Sequence, residues 1–297
     1  MSAADSSTPR VGVVVLTQGR RPEELRAGLA SVLAQRDVEV DVVVVGNGAD
    51  PADLGLPGGV AAVALPENVG IPAGRNAGVP RVEGDWLFFL DDDASIPSPT
   101  FLIEAIGIIR ADPRIGMIQP RVDDPAGGPA PRRWIPRIRK GDPRRSSTML
   151  TAWEGAVVLP RVAFEEAGGW GDEYFYAHEG IELAWRIWDT GRRAWYAGDL
   201  VALHPVIQPT RHSQYYRLTA RNRVWLARRN LPTPLIPIYT GSWFLVQMLR
   251  SARGGGEGRE AWLRGWREGW RTDPGIRRPL GWRTVLRMTA AGRPPVI

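Results

Sequence analysis

Through the N-terminal two thirds of the chain, short apolar runs alternate with segments whose apolar positions recur at helical spacing. Val11-Gly-Val-Val-Val-Leu16 reads as a buried strand, closed by the turn Thr17-Gln-Gly-Arg20. Pro22-Glu23-Glu24 predicts the first turn of a helix running through Leu25, Leu29, Val32 and Leu33. Residues 38–45 form a second predicted strand, ending in Gly46-Asn47-Gly48. Residues 60–65 form a third, followed by Asn68-Val69-Gly70. A short helix over 73–79 precedes a strand over 85–90. This alternation predicts an α/β fold with a doubly wound, mainly parallel sheet and helices on both faces.

Further along, the pattern predicts a helix over 100–111, a strand over 116–119, and a long loop over 123–147. The loop holds Arg132, Arg133, Arg137, Arg139, Lys140, Arg144 and Arg145 against one acid, Asp142. It is read either as a flap near an acceptor or as a solvated insertion. Then come a strand over 151–159, a helix over 162–167, a helix over 180–190 stopped by Gly191, and short strands over 193–196 and 200–203. From Tyr215 the reading is helical. Residues 231–249 carry no formal charge, but Pro232, Pro234, Pro237 and Gly241 argue against a spanning helix. Trp262, Trp266 and Trp270 form one helical stripe among arginines, weakened by Gly265 and Gly269.

Composition narrows the class. With 43% hydrophobic and 24% charged residues the chain is globular, and the absence of cysteine excludes disulfides and thiolate metal sites. The first apolar run is too short for a signal peptide or a membrane span, so a cytoplasmic protein is expected. Residues 211–297 carry 17 Arg/Lys and 4 Asp/Glu (+13), and the remainder 21 and 28 (−7), which sum to the net +6. We therefore expect an acidic body over 1–210 and a basic, Trp-rich helical extension over 211–297. The extension either docks peripherally at a membrane or packs on the body or a second subunit; nucleic acid is not an expected partner.

Leu87-Phe-Phe-Leu-Asp91-Asp92-Asp93 concentrates the chemistry, because three carboxylates at one strand end repel unless a cation balances them. Mg²⁺ or Mn²⁺ takes such oxygen ligands and brings phosphates with it. In open α/β sheets ligands sit beyond the carboxyl ends of the strands. Asp91 and Asp93 are thus read as a metal–diphosphate platform, with a solvated acidic turn as the alternative.

The order of these signals resembles the family 2 inverting glycosyltransferases, of GT-A fold, in an actinobacterial-type form with a basic C-terminal extension. The matching pieces are the strand ending at Thr17, Asn47-Gly48, Asn68-Val-Gly70 with Gly74-Arg75-Asn76-Ala-Gly78, Asp91-Asp92-Asp93, Gly168-Gly169-Trp170 and His178-Glu179-Gly-Ile-Glu182-Leu-Ala-Trp-Arg186. The resemblance implies transfer of a sugar from a nucleotide-diphosphate donor to a glycan or lipid-linked acceptor hydroxyl in cell-envelope synthesis. It implies Mn²⁺ or Mg²⁺ held by Asp93, with Asp91 nearer the ribose or the metal's periphery, and His204 as a further ligand or a structural histidine. Donor contacts fall to Thr17, Asn47, Asn68, Arg75, Asp91 and Asp92, and acceptor-side contacts to Trp153, Glu154 and His178. Asn47 is equally readable as a turn residue, and Trp153-Glu154 as a packed pair.

Many relatives carry Glu-Asp-x-Asp-Leu-x-x-Arg where this chain has Glu179-Gly180-Ile181-Glu182-Leu183. Glu179 is therefore the expected base and Glu182 a weaker candidate, which a bridge to Arg186 would also explain. Gly46 replaces an aspartate that reads uracil in many relatives, so uridine is not implied. A sugar-1-phosphate nucleotidyltransferase and a non-catalytic basic adaptor are the competing classes. The first expects a better phosphate loop than Thr17-Gln-Gly-Arg-Arg21, and the second leaves the acidic cluster unexplained.

Overall fold

A computed structural model describes residues 7–136, 141–206, 213–253 and 258–295. Arg137, Arg139 and Lys140, singled out above, lie outside the described residues.

One eight-stranded sheet has the order β3-β2-β1-β4-β7-β5-β8-β6. β1 (Arg10–Thr17) pairs in parallel with β2 (Glu39–Asn47) and β4 (Trp86–Asp91), and β2 with β3 (Ala61–Leu65). β7 (Ala156–Pro160) runs antiparallel between β4 and β5 (Ile115–Asp123), β8 (Arg193–Leu203) is parallel to β5, and β6 (Ser147–Met149) closes the edge antiparallel. Strand alternation divides the core into two layers. Val13, Val15, Val42, Val44, Phe88 and Leu90 meet α1 (Pro22–Leu33) and α3 (Phe101–Ala111) on one face. Val14, Val43, Val45, Leu87 and Phe89 share the other with α4 (Arg161–Ala167) and α5 (Glu179–Asp189). α2 (Ile71–Gly78) also lies on that face. It lies close to the sheet because Gly74 and Gly78 have no side chain; a Cβ on Gly78 would stand 2.6 Å from Val14 Cγ1.

Several boundaries differ from expectation. The strand predicted over 151–159 begins only at Ala156. Upstream, the Gln119 side chain accepts from Trp153 N at 2.7 Å and donates to Trp134 O at 2.9 Å, so a side chain holds backbone that a ladder would otherwise hold. The two strands predicted over 193–203 are one, with a register shift beside Pro120, which has no N–H to give the ladder. The arginine-rich loop is not wholly irregular: Arg132–Trp134 form a helical turn and Trp134 is fully buried.

The extension supplies α6 (Ser213–Asn230), α7 (Leu235–Arg253), α8 (Arg259–Arg271) and α9 (Trp282–Ala290). Its Trp225, Leu226, Leu231, Tyr239, Val285 and Met288 belong to the same apolar cluster as one face of the sheet. The tryptophan stripe turns inward at its start. Trp262 is 3% exposed and stacks on Trp266 at 5.0 Å between ring centres, while Trp270 remains exposed. Gly265 and Gly269, read as weak points, are buried where α8 crosses α6. Among the described residues no helix is long and apolar enough to cross a membrane.

Candidate active site

β4 delivers Asp91, Asp92 and Asp93 to the carboxyl edge of the sheet, beside the ends of β1 and β2. Asp91 Oδ1 accepts from Arg75 Nη2 at 2.6 Å, and Asp91 N donates to Gly155 O at 2.9 Å, which ties the strand end to the loop carrying Trp153 and Glu154. Asp92 accepts from Thr17 Oγ1 at 2.6 Å; burial chiefly pushes its carboxyl up to about 6. Asp93 is ion-paired with Arg21 and lies 3.0 Å from His204 Nε2. Burial raises the Asp93 carboxyl, but the hydrogen bond and charge of His204 and the charge of Arg21 outweigh it, leaving it below the usual range.

Donor atoms of Asp91, Asp93 and His204 lie within 4.8 Å of one another. His204 Nδ1 is 2.7 Å from Pro205 O, an arrangement that spends Nδ1–H on a carbonyl and leaves Nε2 facing the acids. Two oxygens and an imidazole nitrogen so placed suit a small divalent cation. The rings of Trp153 and Trp134 stand edge-on to His204, at 4.9 and 5.4 Å between centres.

Arg75 is 2% exposed, and its Nε and Nη1 are buried without a hydrogen-bond partner. Its guanidinium lies 5.1 Å from the Trp170 ring centre and faces both the aspartates and the glutamate corner. At that corner Glu154 Oε1 accepts from Gly180 N at 2.8 Å, at the start of α5. Side-chain atoms of Glu154 fill the space that a Cβ on residue 180 would need. The glycine in place of an acid is thus matched by a carboxylate arriving from another loop. Glu179 is 2% exposed and its Oε2 has no partner. Burial, then repulsion from Glu154, raises the Glu179 carboxyl to about 8; burial also raises Glu154. His178 is buried with both ring nitrogens unpartnered, and burial holds it well below its ordinary value, hence neutral.

Three expected contacts are already engaged within the protein. Asn47 donates to Asn68 Oδ1 (3.0 Å) and Gly70 O (3.1 Å) and accepts from Val69 N (2.9 Å), while Asn68 Oδ1 also accepts from Gly70 N (2.9 Å). With its amide so used, Asn47 holds the 68–70 loop and is not free to read a base edge. Glu182 is fully buried, accepting from Arg229 Nε and Asn230 Nδ2 at 2.7 Å each and from Tyr174 Oη at 3.1 Å, with Arg186 Nη2 at 3.1 Å. All four of these contacts fall on Oε1 and Arg229 Nη2 lies 3.4 Å from Oε2, so buried ion pairing, with Arg186 among the partners, favours the structural reading of Glu182 over that of a base. Sequence reading missed Arg21, Trp134, Asn222, Arg229 and Asn230. Only the arginine excess hinted at any of them. A cavity of about 310 Å³ lined by Arg186, Asp189 and Arg278 lies at the opposite end of α5 from Glu179.

The family described as Glycosyl transferase family 2 matches residues 12–168. Over 147 residues the chain is 26% identical to a pre-mycofactocin glycosyltransferase of Mycobacterium tuberculosis, covering 47% of this chain and 31% of that protein. The chain thus spans about a third of the length of the curated relative it matches. Among solved structures, GalNAc-T7 with UDP, GalNAc and Mn²⁺ aligns over 98% of this chain and 59% of its own, at TM-score 0.62 and 15% identity. The mannosyltransferase PcManGT from Pyrobaculum calidifontis, with GDP-Man and Mn²⁺, aligns over 98% and 78%, at 0.54 and 18%. S. aureus TarS with UDP-GlcNAc aligns over 93% and 83%, at 0.60 and 14%. Such low identities establish the GT-A fold and not the substrates.

Proposed function

The chain belongs to glycosyl transferase family 2, and from that premise we propose that it is a glycosyltransferase performing metal-dependent, inverting transfer of a sugar from a nucleoside diphosphate to an acceptor hydroxyl. The observation that carries this is the buried Arg75, with unspent N–H groups, standing between the Asp91–Asp93–His204 cluster and the Glu154–Glu179 pair. Diphosphate recognition and proton abstraction thus meet at one residue.

Asp91, Asp93 and His204 would hold Mg²⁺ or Mn²⁺, which when bound offsets charge on the departing diphosphate. Arg75 offers its spare donors to anionic oxygens of the donor, and Arg21, whose side chain is 40% exposed, can turn from Asp93 and Asp92 towards phosphate. Thr17 and Asp92 brace the wall beside β1, and Asn47 and Asn68 shape the donor-side loop. Glu179, raised by burial, accepts the acceptor hydroxyl's proton during direct displacement at the anomeric carbon. Trp153, Glu154 and neutral His178 line the acceptor side. Residues 211–297 act as an extension of the catalytic body that meets an anionic lipid surface at a membrane's cytoplasmic face. The exposed, uncharged side of α7 supports this reading (Ile238, Leu245, Val246 and Leu249), and a lipid-linked envelope acceptor would fit it.

The test is a thermal-shift panel of UDP- and GDP-sugars with and without Mn²⁺, combined with nucleotide-release assays. Wild type should be stabilised by one sugar nucleotide only when the metal is present. Asp93→Ala should lose that dependence. Glu179→Gln should keep binding and lose turnover by about 10²–10⁴-fold. Metal-independent binding, or pyrophosphate as product, would overturn the assignment.

A further inference from the structure

Residues 174–179 read Tyr-Phe-Tyr-Ala-His-Glu, without a glycine, yet the backbone adopts positive φ at Phe175 (64°), Ala177 (67°) and His178 (80°). Tyr176 N donates to Tyr174 O at 2.7 Å, closing a three-residue turn about Phe175. Each left-handed L-residue costs about 1–2 kcal/mol, so such a turn persists only where its surroundings over-determine it. The constraint comes from α6. Asn222 is fully buried and its Nδ2 lies 3.0, 2.6 and 2.9 Å from the carbonyl oxygens of Tyr174, Tyr176 and Ala177. All three neighbours are acceptors, which fixes the amide's orientation, and its Oδ1 accepts from Arg221 Nε at 2.9 Å. Arg221 Nη2 adds a 2.9 Å bond to Tyr174 O, and Ile71 N donates to Phe175 O at 2.8 Å from the opposite side.

Two helical turns further along α6, Arg229 and Asn230 hold Glu182, three residues beyond Glu179. α6 therefore grips the start of α5 on both sides of Glu179. We infer that Asn222 is a positioning residue for Glu179: it holds the strained turn that fixes where α5 begins, and hence where the Glu179 carboxylate stands. This rests on Glu179 being the base. On this view the basic extension is part of the reaction machinery as well as a surface for partners.

The experiment uses the full chain with Asn222→Ala, and with Arg217→Ala as a same-helix control that loses only a bridge to Glu268 on α8. Nucleoside diphosphate release from UDP-GlcNAc and GDP-mannose with Mn²⁺ gives kcat and KM, and hydrogen exchange follows residues 174–182. Asn222→Ala should lower kcat about 10–100-fold with donor KM little changed, because a base misplaced by a fraction of an ångström fails in the transition state. Exchange over 174–182 should quicken about tenfold, while Arg217→Ala leaves both readouts near wild type. Asn222→Ser, which keeps one donor, should fall between, and it serves if the alanine variant does not fold. Unchanged exchange over 174–182, or unchanged kcat beside an inactive Glu179→Gln, would overturn the inference. Turnover surviving in Glu179→Gln would instead refute the base, and with it the catalytic meaning of the clamp.

Discussion

Glu179 and Glu154 share one buried corner: burial raises both carboxyls, and the charge of Glu154 raises Glu179 further. A base works deprotonated, so with the Glu179 carboxyl raised to about 8 the rate should climb as pH rises through that region. Glu154→Gln keeps the Oε1 acceptor for Gly180 N but removes the neighbouring charge. The ascending limb of kcat/KM should then move to lower pH, and an unmoved limb would show that the two carboxylates do not interact. The aspartates stood out in the sequence because three like charges at one strand end need a chemical reason, whereas Glu179 was singled out by the family resemblance. Asn47 and Glu182 carry equally suggestive letters. Asn47 is held by Asn68, Val69 and Gly70, more than 20 positions away, and Glu182 by Arg229 and Asn230 as well as the neighbouring Arg186; only the Arg186 bridge is visible in a local pattern.

At the scale of elements, strand and helix periodicity predicted β1 to β4 and α1 to α5 nearly in place. Failures came where the sheet departs from a ladder. Gln119 replaces ladder bonds before β7, and Pro120 introduces the shift within β5–β8. The glycines of α8 show propensity and packing in opposition. Gly→Ala in an isolated helix gains up to about 1 kcal/mol. At Gly265, however, a Cβ would run into the Arg217 carbonyl, and at Gly269 it would stand 2.8 Å from Arg221 O. Gly265→Ala should therefore destabilise the protein by roughly 1–3 kcal/mol in urea unfolding. A stabilised variant would mean that α6 and α8 do not cross as closely as described.

For the whole molecule, the extension shares one apolar cluster with the sheet and one buried ion network with α5. Cutting after residue 210 would strip Glu182 of Arg229 and Asn230, leaving it only Arg186 and Tyr174; removing one partner of a buried ion pair costs roughly 3–5 kcal/mol. Residues 1–210 alone should lack a cooperative thermal transition, whereas a sharp melt would mark them as an independent domain. The exposed side of α7 makes a separate forecast: Leu245→Glu with Leu249→Glu should weaken sedimentation with anionic vesicles while leaving nucleotide-driven thermal shifts intact. Equal sedimentation would remove α7 as the contact. By itself the sequence determined the alternating α/β architecture, the acid-tipped strand and the basic tail, because burial period and charge are written locally. Only tertiary structure decided which polar residues remain free to react and which are spent as bolts. Among them, the tail's Arg229 and Asn230 lock onto Glu182 and its Asn222 onto the turn before Glu179, since hydrogen-bond saturation depends on partners that folding brings from distant parts of the chain.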